Sequence, residues 1–447
     1  MSNKGNHTQS RLRNFVKSNA ASPVLHAHSA APDKIESENG FLSLEPDTLL
    51  PQVLSTITRL RESSSVSDPR VALMLDDGFN VCFPSFAVRA LTAWHKAFKG
   101  KVKPFFAMKC NPDERIVRAL REGGDEGGNG VGFDAASRKE IMGCLGEGGE
   151  GGEKIIFANP QKNVSAIEYA LRAGVNVMTF DSVQEADKIA RVARAEGQRV
   201  EVVARILVPD QGSKVRLGEK FGATPSVAVD LHRHVLEAHR DVLDFVGVSF
   251  HVGSGVRDVE RYSEAIEIAR GVVKRVNEEG GDCWLVDIGG GFPGWGGGGM
   301  VIEDIAKCIE GSIEEMKSEG IEVIAEPGRF FVEGAFAVVC KIFSVRELRG
   351  GGREYFIAQG VEGVFKDVIL CDEVFIPVPL REKGDDKFFL KGDSVPCTIR
   401  GPAGEADIVA RCNLPKLQAG DWLVFNRMGA YTMSIAKAGS NFETIYV

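Results

Sequence analysis

Nowhere in the 447 residues are two cysteines spaced C-x-x-C, and the nine present are scattered and odd in number. That pattern argues against a structural zinc site or a disulfide framework, so no metal and a reducing compartment, the cytoplasm, are expected. Missing too is any apolar run near the roughly 18 to 20 residues that a bilayer-crossing helix needs, and the N-terminus lacks the apolar core of a secretory signal. No membrane partner is expected. A basic excess is also absent. The formal net charge of -8 offers no electrostatic surface for nucleic acid and leaves a small molecule as the expected partner. Residues 1 to 32 hold Lys4, Arg11, Arg13 and Lys17 but no Asp or Glu. Such a segment suits a transit peptide or a disordered tail, and residues 1–40 are expected to be the latter.

What is present is a long, 43% hydrophobic chain with room for two or three cores. Between residues 104 and 329 eight short apolar runs, most of them rich in β-branched residues, recur: PFFAMK, GVGFDA, KIIFAN, NVMTFD, EVVARILV, FVGVSFHVG, WLVDIGGG and EVIAEPGR. The segments between them, such as SAIEYALRAG and SVQEADKIARVARAEG, carry apolar residues at i, i+3, i+4 and stop near glycine, the pattern of amphipathic helices. Eight strand–helix alternations predict an α/β fold, a closed (β/α)8 TIM-like barrel over residues 41–332. An open doubly wound sheet is the alternative, because periodicity does not decide closure. The Gly/Glu-rich pieces EGGDEGGNG and GEGGEGGEK, and GWGGGG after the seventh run, read as flexible loops, since acidic residues in the first two would repel a phosphate. Beyond residue 332 strands recur without long helices (AFAVVCKIFSV, EYFIAQGV, DSVPCTIRGP, DWLVFNRMGAY), which predicts a C-terminal all-β domain over 333–447. Residues 40 to 100, with VALMLDDGFNVCF, either pair with that domain or lead into the barrel.

In such a barrel the reactive groups stand at the C-terminal strand ends. Those ends carry Lys109, Asp134, Asn159, Asp181, Arg205, His251, the run Gly289, Gly290, Gly291, and Glu326 with Arg329. Any one of them, Asn159 or Asp181 for example, is explained equally well by a strand meeting water; together they point to an active site. Lys109 closes the apolar stretch Phe105, Phe106, Ala107, Met108 and is expected to be buried, where a charge costs several kcal/mol unless paired or chemically changed. A desolvated lysine is a phosphate clamp or an imine-forming nucleophile, and both readings stand at this point. The glycines of DIGGGFPG, with Ser254 and Arg329, offer donors to an anion. A phosphate, a lysine, an acid and a histidine together suit pyridoxal 5'-phosphate, with Glu326 on its ring nitrogen and His251 against its ring.

Here the chain resembles the eukaryotic ornithine decarboxylases, pyridoxal-phosphate enzymes of alanine-racemase-like fold, over roughly residues 40 to 447. The resemblance rests on PFFAMKCN, GFDAAS, SFHVGSG, DIGGGFPG, EPGRFF and NRMGAYT. It implies Lys109 and His251 as catalytic residues, with Lys109 linked to the cofactor and His251 stacked on its ring. It implies a cofactor site of Lys109, Asp134, Arg205, His251, Ser254, Gly289, Gly290, Gly291, Glu326, Pro327, Gly328, Arg329 and Tyr431. It further implies a head-to-tail homodimer with shared active sites, the β domain contributing to the interface and the substrate pocket. Some animal members carry a long C-terminal degradation tail; this chain stops at FETIYV, so tail-dependent turnover is not expected.

Two segments depart from the family. Ornithine decarboxylases grip the distal ammonium with acidic side chains, one in a motif similar to YFIAQGVEGVF, where this chain has Gln359. The family's Gly-Pro is followed by a proton-donating cysteine and an aspartate, whereas RGPAGEADIV is about two residues shorter and has Gly404 and Glu405 there by the simplest register. Gln359 and Glu405 are the candidate substrate-binding residues, with Asp407 a second source of charge. Three functions are weighed. The first is decarboxylation of a modified or N-substituted basic amino acid, as in alkaloid pathways; the second is ordinary ornithine or lysine decarboxylation for polyamines; the third is a non-catalytic regulator resembling antizyme inhibitors.

Overall fold

The computed structural model describes residues 11–17, 46–62, 68–123, 130–211, 213–218, 220–256, 258–295, 300–381, 393–437 and 442–447. Strand β1 is Gly78–Cys82. The eight apolar runs follow as β2 Val102–Ala107, β3 Gly132–Ala135, β4 Ile155–Phe157, β5 Val177–Phe180, β6 Val200–Arg205, β7 Leu243–Ser249, β8 Leu285–Asp287 and β9 Glu322–Ala325. All neighbours pair in parallel, and β9 returns to β2 through Val102↔Val323 and Pro104↔Ala325. The barrel is therefore closed, and the open-sheet alternative falls.

Local chemistry sets where each helix begins. Asp113 accepts the backbone N–H groups of Arg115 and Ile116 at 3.0 and 3.1 Å, capping the helix Glu114–Glu122. Ser137 and Ser182 each accept from the glutamate three residues on, Glu140 and Glu185, at 3.3 Å, as S-x-x-E caps do. These caps fall directly after β3 and β5, so the turn from strand to helix fixes the rim above them.

The expected disordered tail needs correction. Residues 11–17 form the helix Arg11–Lys17, because Leu12, Phe15 and Val16 make an apolar face at i, i+3, i+4. Leu12 and Val16 are buried with Phe105, Ile156, Val203, Leu285 and Ile324. Lys103 of β2 reaches the same helix, donating to the Phe15 carbonyl at 2.7 Å. The rest of 1–40 lies outside the described residues, as do most of EGGDEGGNG and the end of GWGGGG. In GEGGEGGEK, expected to be a flexible loop, residues 147–149 and 152–154 form short 3-10 turns.

The domain boundary also differs from expectation. Two compact units divide the chain: residues 11–17, 88–293 and 300–330 form the first, and residues 46–62, 68–87 and 331–447 contribute to the second. Residues 40 to 100 left two alternatives, pairing with the β domain or leading into the barrel, with the barrel domain drawn from residue 41; the described part of 46–87 falls in the second unit, in line with the first alternative. There β1 pairs antiparallel with β10 Phe336–Lys341 and parallel with β17 Thr444–Tyr446. The remaining strands are β11 Ser344–Glu347, β12 Arg353–Phe356, β13 Val378–Leu380, β14 Ser394–Arg400, β15 Ile408–Pro415 and β16 Trp422–Phe425. They make two sheets, ordered β13-β16-β10-β1-β17 and β11-β12-β14-β15. Both contribute to one core that includes Val338, Cys340, Tyr355, Ile399, Leu423 and Phe425.

Candidate active site

At the C-terminal rim of the barrel, Lys109 follows β2 in a turn. Its Nζ donates to Asp134 Oδ2 at 2.7 Å, and its side chain is 39% exposed against 1% for Asp134. The expectation of a buried ammonium is thus corrected: the apolar run ends at Met108, and Lys109 sits at the open mouth. The turn is held tightly. Met108 N–H donates to Asp134 O at 3.0 Å and Ala107 N–H to Pro327 O at 3.3 Å. A Cβ on Gly328 would come 2.7 Å from Cys110 Cβ, so only glycine allows EPG to pass this close to the lysine turn.

Three buried carboxyl groups gather here. Asp134 is 1% exposed, Asp287 0% and Glu326 5%. Asp287, at the end of β8, accepts the Gly289 N–H at 2.8 Å and hydrogen-bonds Glu326. Burial pushes the Asp287 carboxyl up to about 6. Burial, with the charges of Asp134 and Asp287, raises Glu326 well above the usual range. Among the described residues, Asp134 Oδ1 and Asp287 Oδ2 are buried without a partner. Sequence reasoning missed Asp287; its signal was a carboxylate two residues before the Gly289–Gly291 run.

His251 follows β7. Its Nδ1 accepts the Gly253 N–H at 3.0 Å, which leaves Nε2 to carry the proton of the neutral ring. Burial, with the cations of Arg205 and Lys109 nearby, holds its pKa well below the ordinary histidine value. Gly290 faces that ring: a Cβ there would lie 2.8 Å from both His251 Nε2 and Glu326 O. Gly289 and Gly291 have φ of +64° and +95°, the left-handed region that glycine adopts without strain. Ser254 is bridged through its backbone to Val215, N to O at 3.0 Å both ways. Arg329 opens the helix Arg329–Val332 directly after Glu326, Pro327 and Gly328.

The other strand-end residues brace the rim. Asn159 donates to Ala136 O at 3.1 Å, and Asp181 accepts from Gln161 Nε2 at 2.6 Å and Gly222 N at 3.0 Å. Lys162, fully buried, joins β4 and β5 by donating to Asn159 O, Thr179 O and Glu185 Oε1 at 3.0, 2.6 and 2.9 Å. Farther off, His234 and His239 each meet Asp187 Oδ1 at 2.7 Å. Arg194 donates to His239 Nδ1 at 3.1 Å, so His239 Nε2 carries a proton toward Asp187 and that cluster is a hydrogen-bonded network.

In the second unit Gln359 is 4% exposed, and its Oε1 accepts from Val364 N at 3.5 Å. Asp407 is 2% exposed. Its two oxygens accept from Val361 N and Ala403 N, each at 2.8 Å. A Cβ on Gly360 or Gly401 would come within 2.2 or 2.3 Å of Asp407 Oδ2. Asp407, weighed as a source of distal charge, is instead the post that ties residues 359–364 to the β14–β15 hairpin. Glu405, by contrast, is exposed. Tyr431 and Arg427 adopt positive φ of 56° and 57°, strained for side chains of their size. The loop is held by Arg427 on Glu333 and by Met428 N–H on Phe336 O at 2.9 Å.

Residues 86–333, more than half of the chain, match the family model described as "Pyridoxal-dependent decarboxylase, pyridoxal binding domain". An ornithine decarboxylase of Mus pahari is 37% identical over 387 residues, covering 82% of this chain and 79% of that protein. The chain belongs to this family. It is a pyridoxal-dependent decarboxylase of the ornithine decarboxylase type. Antizyme inhibitor 2 of Xenopus laevis is 33% identical over 422 residues, covering 91% of this chain and 84% of its own. The arginine decarboxylase of Paramecium bursaria Chlorella virus superposes with a TM-score of 0.76 at 27% identity, covering 89% of this chain and all of that one. The decarboxylase rim fits pyridoxal phosphate on its own chemistry. Three buried carboxyl groups face two cations, Lys109 and Arg205, and among the described residues two of their buried oxygens lack partners, a set that a protonated ring nitrogen would balance.

Proposed function

We propose that this decarboxylase removes the α-carboxyl group of a basic amino acid whose distal amino group is substituted or modified, as in specialised metabolism. The observation that carries the reading is Gln359, a buried neutral amide where ornithine decarboxylases hold an acid. A carboxylate on an ammonium makes a charge-assisted bond worth about 1.5–3 kcal/mol, and an amide forfeits much of it. Asp407 does not substitute for the missing acid, because both its oxygens are engaged by backbone N–H groups.

When bound, pyridoxal phosphate supplies an aldehyde for amino groups and a sink for the electrons left as carbon dioxide departs. The residues divide the remaining work. Lys109, paired with Asp134, is the amine that holds the cofactor and is regenerated at product release. Glu326, backed by Asp287, gives its carboxyl to the ring nitrogen, and Arg205 belongs to the same environment. The neutral His251 would lie against the ring. Gly289, Gly290, Gly291, Ser254, Pro327, Gly328 and Arg329 would hold the phosphate end, and the family resemblance adds Tyr431 to them. We assign Gln359 and Glu405 to the substrate's distal end, with two copies of the chain forming a homodimer. An exposed Glu405 is what a group reaching into a partner's site requires.

The test is carbon dioxide release from ornithine, lysine and N-alkylated diamino acids. Gln359→Asp is expected to raise kcat/KM for ornithine by about tenfold to a hundredfold, the energy of one charge-assisted bond. Efficient turnover of ornithine by the unmodified protein would overturn the reading in favour of an ordinary polyamine enzyme. A non-catalytic role has the antizyme inhibitor relative behind it; the Lys109–Asp134 pair speaks against it.

A further inference from the structure

Cys397 and Cys412 stand directly opposite each other on β14 and β15. Their Sγ atoms are 3.6 Å apart, and Cys397 Sγ donates to Cys412 O at 3.2 Å. Directly opposed residues on antiparallel strands have Cα atoms about 4.5–5.5 Å apart, inside the roughly 4.4–6.8 Å span of a disulfide. Cys397 is 5% exposed, whereas Cys412 is only partly buried and is the one of the two that a small reagent reaches first.

The position gives the pair a consequence. From Cys397↔Cys412 the ladder runs through Thr398↔Arg411 and Ile399↔Ala410, then breaks register at Arg400↔Ile408. Beyond that bulge lies the loop 401–407, tied by Asp407 to Val361 and Ala403. The bulge shifts register at the end of the hairpin, where Gly401 N–H donates to Asp407 O at 3.1 Å, and a covalent link three residue pairs below would limit its opening.

We propose that Cys397 and Cys412 form a reversible thiol–disulfide pair whose closure holds the hairpin carrying residues 401–407. The Cys412 thiolate attacks one sulfur of a low-molecular-weight disulfide such as oxidised glutathione, expelling one glutathione thiolate, which takes a proton. Cys397 then loses its proton, and its sulfur attacks the Cys412 sulfur and displaces the second glutathione thiol. The two cysteines lose two electrons, and the reagent gains them as two thiols. The hydrogen bond from Cys397 lowers the pKa of Cys412 and raises that of Cys397, which fits Cys412 as the attacking group.

The full chain incubated with oxidised glutathione, alkylated and digested is expected to yield a peptide pair linked through Cys397 and Cys412, with the thiol count falling by two from nine. Amide exchange at Val361 and Ala403 is expected to slow by about tenfold on oxidation and to recover with dithiothreitol. In Cys397→Ser the reduced rates should persist and the oxidant should no longer change them. Glutathione remaining on Cys412 without a cross-link would overturn the proposal. So would a cross-link between other cysteines, unchanged exchange in the oxidised wild type, or slowing that survives in Cys397→Ser.

Discussion

At the scale of single residues, two lysines of one strand-and-turn segment exchange the roles that hydrophobicity suggests. Lys109 ends the apolar run yet stands at the mouth, while Lys103, 3% exposed, is the buried one. Lys109→Ala is expected to abolish the visible absorbance of lysine-bound cofactor and to lower decarboxylation by several orders of magnitude, read by spectroscopy and carbon dioxide release. Lys103 predicts a pH effect. Burial, reinforced by the Lys154 charge, lowers its pKa to about 7, below the roughly 10.4 of an unfolded lysine. Unfolding therefore takes up a proton between about pH 7 and pH 10.4, and this residue's contribution to unfolding free energy rises with pH across that window. Denaturant unfolding of Lys103→Met against wild type should show the variant's relative stability greatest near pH 6 and falling steadily toward pH 10. A flat difference would place Lys103 in water. The side-chain alternation of a strand could not separate these lysines, because which end of the barrel meets solvent is decided by the helix Arg11–Lys17 and by closure.

Among elements, the hairpin β14–β15 and the β12–359 segment depend on one carboxylate. Removing Asp407 leaves the Val361 and Ala403 N–H groups without their acceptor, each costing about 1–3 kcal/mol when buried. Asp407→Ala is expected to lose about 2–5 kcal/mol in denaturant unfolding of the β unit, and a change under 1 kcal/mol would mean that water replaces the carboxylate. On the barrel side, Gly290→Ala would drive a methyl group to 2.8 Å from His251 Nε2 and Glu326 O. It is expected to weaken cofactor retention in dialysis by about tenfold or more while the far-ultraviolet circular dichroism stays unchanged. The eight barrel strands were legible as elements because each is a compact, largely apolar run between amphipathic helices. Strands β13, β15 and β17 were not, because they are short or mixed in polarity and are strands only through their partners Trp422–Phe425, Ser394–Arg400 and Gly78–Cys82.

For the molecule as a whole, the barrel depends on a segment that its composition makes look expendable. Leu12 and Val16 are 2% and 5% exposed, and full burial of such side chains is worth about 1.5–3 kcal/mol each. Leu12→Ala/Val16→Ala is expected to destabilise the barrel unit by about 3–5 kcal/mol in thermal or denaturant unfolding; no change would mean that the helix does not hold in solution. The sequence alone determined the barrel's eight strands, the β domain and a pyridoxal-phosphate rim, because periodicity, caps and motif residues are local and survive reading one residue after another. Tertiary structure decided what depends on contacts between distant residues. The pairing of β1 with β10 and β17 moved residues 68–87 to the second unit. Convergence of β8 and β9 joined Asp287 to Glu326. Backbone N–H groups 42 residues apart in sequence spent the charge of Asp407 on the fold rather than on a substrate.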